Sequence, residues 1–330
     1  MSGVMPPEWS PHQATWMAFP VAAYPGAGVS QDDVWAAWAD VANTIADHEP
    51  VHMLCNPAQH RMATRRLSGN IELHEAVFND AWLRDTGPTF TVNDGQLWAV
   101  DWAFNGWGDH TAFAWQPDDR LAAGIASLLG VETCRSQLVN EGGGFHVDGN
   151  GRVLLTESVQ LDPDRNPDWS KTKVTAEIHQ RLGTDEAVWL PHGLWRDYQD
   201  HGTRGHVDMV ACFTPSGQAL LHRQMDSGHP DAARYHEHRA ALEAGGLDMV
   251  ELPAPRTLRD NKDWVDYSYI NHYVINGAVV MPVFADRNDD QAAEILGSFW
   301  PGREIRQVDA RVIFAMGGGV HCLTQQQPET

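Results

Sequence analysis

The sequence predicts an α/β fold of five similar modules closing into a ring, on two observations. A helix-then-strand pattern recurs five times, and hairpin candidates separate the repeats. The period is roughly 50 to 60 residues, which suits a ring of modules. An α/β layer protein with irregular connections fits the same periodicity.

In the first unit, Val34, Trp38, Val41 and Ile45 fall at helical spacing behind a Ser30 cap, and the apolar run Val51–Cys55 follows. The same order recurs over 118–139, 168–191, 231–253 and 289–310. Between units lie the turn sequences Asn93-Asp94-Gly95, Asp148-Gly149-Asn150-Gly151, Pro215-Ser216-Gly217 and Asn276-Gly277, each flanked by apolar strand-like runs. No Pro/Gly/Ser-rich linker interrupts the chain, so one catalytic domain spanning 1–330 is expected.

With 330 residues, 42% of them hydrophobic, the chain can bury a full-sized core. Its 44 acidic against 23 basic residues give a net charge of -21, which disfavours nucleic acid and anionic membranes and draws in small cations. The four cysteines include no CxxC pair, so neither a disulfide framework nor a compact zinc site is expected. No signal peptide and no long apolar span is present, and a cytoplasmic protein is expected.

Polar residues cluster in four of the five inter-module segments: Asn79–Asp85, Asn140–Gly144, Gly205–Asp208 and Gly317–Cys322. Equivalent positions in a closed ring converge, so Asp85, Glu141, His206, Asp208 and Cys322 are expected to meet near its axis. Together they suit a planar cation. A guanidinium offers five N–H donors in a fixed fork, so Asp85 and Asp208 can each accept a pair while the central carbon is held for attack. A thiolate on Cys322 attacks that carbon better than water does. The three preceding glycines permit positive φ and close approach of the substrate. His206, in a His-Val-Asp alternation expected to be a strand, is the candidate acid/base, and Glu141 the acid that orients it. Cys55, Cys134 and Cys212 lie in apolar runs and read as buried hydrophobes, and Asp80, Asp101 and Asp148 as capping residues.

From MPPEWSPHQATW through NDAWLRDTGPTF, EGGGFHVDGNGRVLLTE, WLPHGL, GHVDMVACF, SYINHYVINGAVVMPVF and GGGVHCLTQQQP, the chain resembles the agmatine deiminase and bacterial peptidylarginine deiminase family. The resemblance implies a five-bladed α/β propeller with pseudo-fivefold repeat and a cofactor-free, metal-free deimination of a small cationic guanidino compound, foremost agmatine. It also implies Cys322 as nucleophile, His206 as acid/base, Asp85 and Asp208 as guanidinium ligands, Glu141 as the conserved acid, and Trp82 as an aromatic beside the substrate, for which core packing is the alternative. A homodimer and a role in polyamine metabolism are further expectations.

Two departures bear on the substrate's far end. The loop before the histidine is longer and carries Arg196 and Arg204, and GGGVHC is one residue shorter than the family's pattern. Arg204 or Arg196 is a candidate for a substrate carboxylate, which would favour a guanidino acid; the alternative is a pair of solvated loop cations. Peptidyl-arginine deimination, amidino transfer and a catalytically silent guanidine binder use much the same residues. A metal hydrolase is disfavoured by the lack of a compact ligand set and of any CxxC pair.

Overall fold

The computed structural model describes residues 3–108, 114–199, 201–260 and 262–330. Its strands are β1 (His12–Ala18), β2 (Val51–Cys55), β3 (Ile71–Glu75), β4 (Thr89–Asn93), β5 (Gln96–Ala103), β6 (Glu132–Val139), β7 (Phe145–Val147) and β8 (Arg152–Thr156). They continue as β9 (Glu186–Leu190), β10 (Ala211–Phe213), β11 (Ala219–Arg223), β12 (Met249–Pro253), β13 (Tyr273–Ile275), β14 (Ala278–Val283), β15 (Glu304–Asp309) and β16 (Thr324–Pro328).

These form five sheets, β4-β5-β6, β7-β8-β9, β10-β11-β12, β13-β14-β15 and β16-β1-β2-β3. Each sheet begins with an antiparallel pair and continues with a parallel one. A parallel step needs a crossover. The helices Gln31–Ala46, Leu121–Leu129, Lys171–Leu182, Asp231–Ala244 and Asp289–Phe299 supply the five crossovers, so the fold is the five-bladed α/β propeller. The expected helix-strand units and hairpins all lie where the periodicity put them.

Local chemistry explains the boundaries. Ser30 caps the first helix through a capping box, its hydroxyl accepting from the Asp33 N–H while the Asp33 carboxylate accepts from the Ser30 N–H. The β4–β5 hairpin turns on Asp94 and Gly95, with φ of 50° and 72°, the double positive φ of a type I′ turn. The middle strands read as nearly continuous apolar runs because both faces are covered: five of the six residues of β14 are buried.

The last strand closes the ring. β16 pairs antiparallel with β1, setting Trp16 opposite Gln325, and the Trp16 indole donates to Gln327 Oε1 at 2.8 Å. Beyond β2, the helix His60–Arg66 leads to β3, which widens this closing blade to four strands, an extension the periodicity does not reveal. His206-Val207-Asp208 is not the strand that its alternation predicts. Residues 207–209 form a single 3₁₀ turn before β10, because the chain must turn inward there before the strand can start.

Each blade's first strand, β4, β7, β10, β13 or β16, is preceded by a compact buried segment, polar in four of the five. Four of these segments contain one-turn helices: Leu83–Thr86, Gly142–Gly144, Val207–Met209 and His321–Leu323. The fifth, Ser268–Asn271, is buried but irregular.

Candidate active site

Four of these segments bring Asp85, Glu141, His206, Asp208 and Cys322 together, all of them buried. Gly143 marks the point of convergence. A Cβ added there would stand 2.4 Å from His206 Nδ1, 3.0 Å from Asp208 Oδ2 and 3.1 Å from Asp85 Oδ1. Only glycine leaves that space, so two blades present a basic nitrogen and two carboxylates to one small volume beside the Gly143 backbone of a third.

Each group is held from behind. His206 Nε2 lies 3.1 Å from Glu141 Oε2, and Glu141 is held by the Arg165 Nε at 3.0 Å. Arg165 in turn pairs with Asp162 at 2.9 Å and donates to the Thr203 carbonyl. Asp85 accepts from the Trp107 indole at 2.9 Å and the Gly143 N–H at 3.0 Å. Asp208 Oδ2 meets His321 Nδ1 at 2.7 Å, and His321 Nε2 meets Glu8 at 2.8 Å, with Arg84 beside Glu8 at 3.4 Å. After these bonds, His206 Nδ1 and Asp208 Oδ1 are buried polar atoms with no hydrogen-bond partner in the protein. Buried groups are rarely left so unless something else satisfies them.

Cys322 follows the turn from Gly317 to Val320. Its Sγ lies 3.6 Å from Asp208 Oδ2 and accepts from the Asn271 side-chain amide at 3.4 Å. Asn271 also donates to the Asp208 carbonyl and accepts the His321 N–H, tying three blades together. Of the three glycines, only Gly317 has positive φ, at 102°. The other two serve packing: a Cβ on Gly318 would stand 2.7 Å from the Trp82 ring, and one on Gly319 2.2 Å from Asn271 Oδ1. Trp82 is buried beside this loop. It packs edge-on against Trp38 at 5.3 Å, donates to the Tyr24 hydroxyl at 2.8 Å and walls the cysteine loop.

The charges are strongly perturbed. Burial, reinforced by Glu141 and Asp208 against the pull of His206, pushes Asp85 up to about 6. Burial alone would depress His206, but Asp85, Glu141 and Asp208 carry it up to about 9. Burial would raise Glu141, yet Arg165 and His206 bring it down to about 2. Burial would raise Asp208 too, but its bond to His321 and the charges of His321, His206 and Arg84 together bring it below its ordinary value. Burial and the carboxylates of Asp208 and Asp85 hold the Cys322 thiol well above the ordinary value.

The two loop arginines are paired. Arg204 Nη1 meets Asp162 at 2.9 Å and Asp164 at 2.7 Å, and Arg196 meets Asp260 at 3.0 Å. Both charges are already answered within the protein, so neither is a free solvated cation. Cys55 and Cys212 are buried as expected, Cys134 partly so, and all four cysteines are unbridged.

Asn271, Arg165, His321, Glu8, Arg84 and Trp107 do not emerge as site residues from the sequence. One signal pointed to Asn271: it stands just ahead of β13, where each other blade carries its polar cluster.

Residues 4–328 match the family described as Porphyromonas-type peptidyl-arginine deiminase. A Streptomyces coelicolor protein, provisionally named an agmatine deiminase, is 49% identical over 99% of both chains. The agmatine deiminase of Pseudomonas aeruginosa UCBPP-PA14 is 36% identical over 98% of this chain and 95% of its own. The solved agmatine deiminase of Enterococcus faecalis superposes with a TM-score of 0.91 at 30% identity, over 99% of this chain and 96% of that one.

Proposed function

Because the chain belongs to the Porphyromonas-type peptidyl-arginine deiminase family, we propose that it hydrolyses agmatine to N-carbamoylputrescine and ammonia through a covalent intermediate on Cys322. The observation that carries this reading is the convergence of Asp85, Asp208 and His206 on one point beside a cysteine, with His206 Nδ1 and Asp208 Oδ1 left without protein partners. Relatives named agmatine deiminase, matched over nearly their whole length, support it.

A guanidinium seated between Asp85 and Asp208 accepts no proton and donates several, which suits two carboxylates. Its positive charge offsets the two charges that hold the Cys322 thiol protonated, so binding itself favours release of the thiol proton to water. The thiolate then adds to the guanidinium carbon. The C–N bond breaks, His206 supplies the proton that lets nitrogen depart as ammonia, and an amidino-thioether remains. Water, deprotonated by His206, attacks the same carbon, the C–S bond breaks, and the ureido product leaves with the thiolate restored. Glu141 holds the His206 ring and stabilises its charged form through each step, with Arg165 fixing Glu141. Asn271 donates toward sulfur and so favours the thiolate.

Agmatine is favoured over a guanidino acid because Arg204 and Arg196 already face carboxylates. The net charge of -21 draws a doubly charged cation toward the pocket. We place the reaction in polyamine metabolism in the cytoplasm, in one catalytic unit spanning 1–330 that pairs as a homodimer, with Trp82 against the substrate. No helix among the described residues is long and apolar enough to cross a membrane.

The test measures ammonia and ureido product from agmatine, free arginine, guanidino acids and arginyl peptides, beside Cys322→Ala. Turnover of agmatine that vanishes in the variant supports the reading. Preference for an acid or a peptide, or turnover without Cys322, overturns it.

A further inference from the structure

We propose that His52, Glu72 and His74 form a zinc site on the outer strands of the closing blade, separate from the Cys322 pocket. The three offer one ligand atom each within a mutual separation of 4.8 Å. His52 Nδ1 lies 3.0 Å from His74 Nε2 and 3.4 Å from one Glu72 oxygen, and the other Glu72 oxygen is 3.7 Å from His74 Nε2. Two imidazoles and a carboxylate around tetrahedral Zn²⁺, with bonds near 2.0–2.1 Å, stand about 3.3 Å apart. The three observed separations bracket that figure.

Sheet geometry explains the convergence. The parallel register sets His52 of β2 opposite Glu72 of β3, and alternation along β3 puts Glu72 and His74 on one face. Trp16, opposite His52 on β1, stacks on the His52 ring at 4.5 Å and the His74 ring at 5.3 Å, fixing the direction in which both present nitrogen.

A purely protein-internal account fits less well. The two facing ring nitrogens, 3.0 Å apart, can share only one N–H, and they stand beside the Glu72 carboxylate. A cation coordinated by all three satisfies every one of these atoms. Both rings are half-buried and Glu72 is exposed at the edge strand, so the fourth position faces solvent and takes water or an outside ligand. By sheet spacing, the site lies about 10–14 Å from β16, two and three strands away.

Residue spacing alone gives no warning: His52 belongs to one strand and Glu72-x-His74 to the next.

The experiment takes the full chain, dialysed against a chelator, and titrates it with Co²⁺ and then Zn²⁺. It compares the native protein with Cys322→Ala, His74→Ala, His52→Ala and Glu72→Gln, with circular dichroism verifying each fold. The expected result is one equivalent of metal in the native protein and in Cys322→Ala, with visible cobalt bands and no thiolate charge-transfer band. Loss of either histidine weakens binding at least about a hundredfold, and Glu72→Gln, an exposed change that spares the fold, about tenfold or more. The proposal is overturned if the native protein takes up no stoichiometric zinc, if uptake survives the histidine changes, or if Cys322→Ala abolishes it.

Discussion

Replacing Asp85 with asparagine removes one of three carboxylates buried around His206, and is expected to stabilise the protein while nearly abolishing turnover. Burial, with Glu141 and Asp208 adding to it, moves Asp85 from 3.8 to about 6. At 1.36 kcal/mol per unit this is a folding penalty of about 3 kcal/mol. The sign follows from where each state ionises. Below pH 3.8 both states are protonated and nothing is lost; the penalty grows as the unfolded carboxyl ionises and is complete above about 6.

Asparagine escapes that penalty but can satisfy only one of the donors from Trp107 and Gly143, which costs about 1–2 kcal/mol. The net gain is about 1–2 kcal/mol, or about 1–3 °C in Tm, at pH 8; it falls with pH, crosses zero near pH 5 and becomes a net loss near pH 4. Losing one charged partner of the guanidinium lowers kcat/KM by about two to three orders of magnitude. Thermal unfolding from pH 4 to 8, beside ammonia release from agmatine, measures both effects. An Asp85→Asn protein less stable than native at pH 8, a gain independent of pH, or near-native activity would refute the reasoning.

Four further outcomes follow from the same geometry. Because burial, Asp208 and Asp85 hold the Cys322 thiol up, its alkylation by iodoacetamide should be slow at neutral pH and still rising beyond pH 9, measured as a pseudo-first-order rate. Asn271→Ala removes a donor to sulfur and a strut of Asp208, so kcat should drop about a hundredfold with an intact fold by circular dichroism. Gly318→Ala drives a methyl into the Trp82 ring, and should raise KM for agmatine more than it lowers kcat in steady-state assays. Arg204→Ala should leave KM for agmatine within about threefold, because this partly exposed cation serves Asp162 and Asp164; a rise of tenfold or more would return it to the substrate pocket.

The propeller was legible because each blade repeats a strong local signal, an amphipathic helix followed by an apolar strand with a turn sequence between blades. Asp85, Glu141, His206, Asp208 and Cys322 were legible for the same reason: equivalent loops of a ring converge. What escaped were interactions that exist only after closure. Asn271 stands in an apolar stretch, Ser268–Asn271, that shows no polar run, so the fifth blade's contribution was hidden. Glu8 reaches His321 across the ring from the far end of the chain, and Arg165 reaches Glu141 from a neighbouring loop. The His206–Asp208 turn was misassigned because an alternating polar pair resembles a strand, and only the inward path before β10 shows otherwise.

Trapping tests the central claim most directly: acid quench during turnover of agmatine, followed by mass spectrometry of the peptide bearing Cys322. The account predicts an amidino adduct on that cysteine that builds up within the first turnover and decays when substrate is exhausted. Sustained turnover with no adduct on Cys322, or with an adduct on another residue, would contradict it.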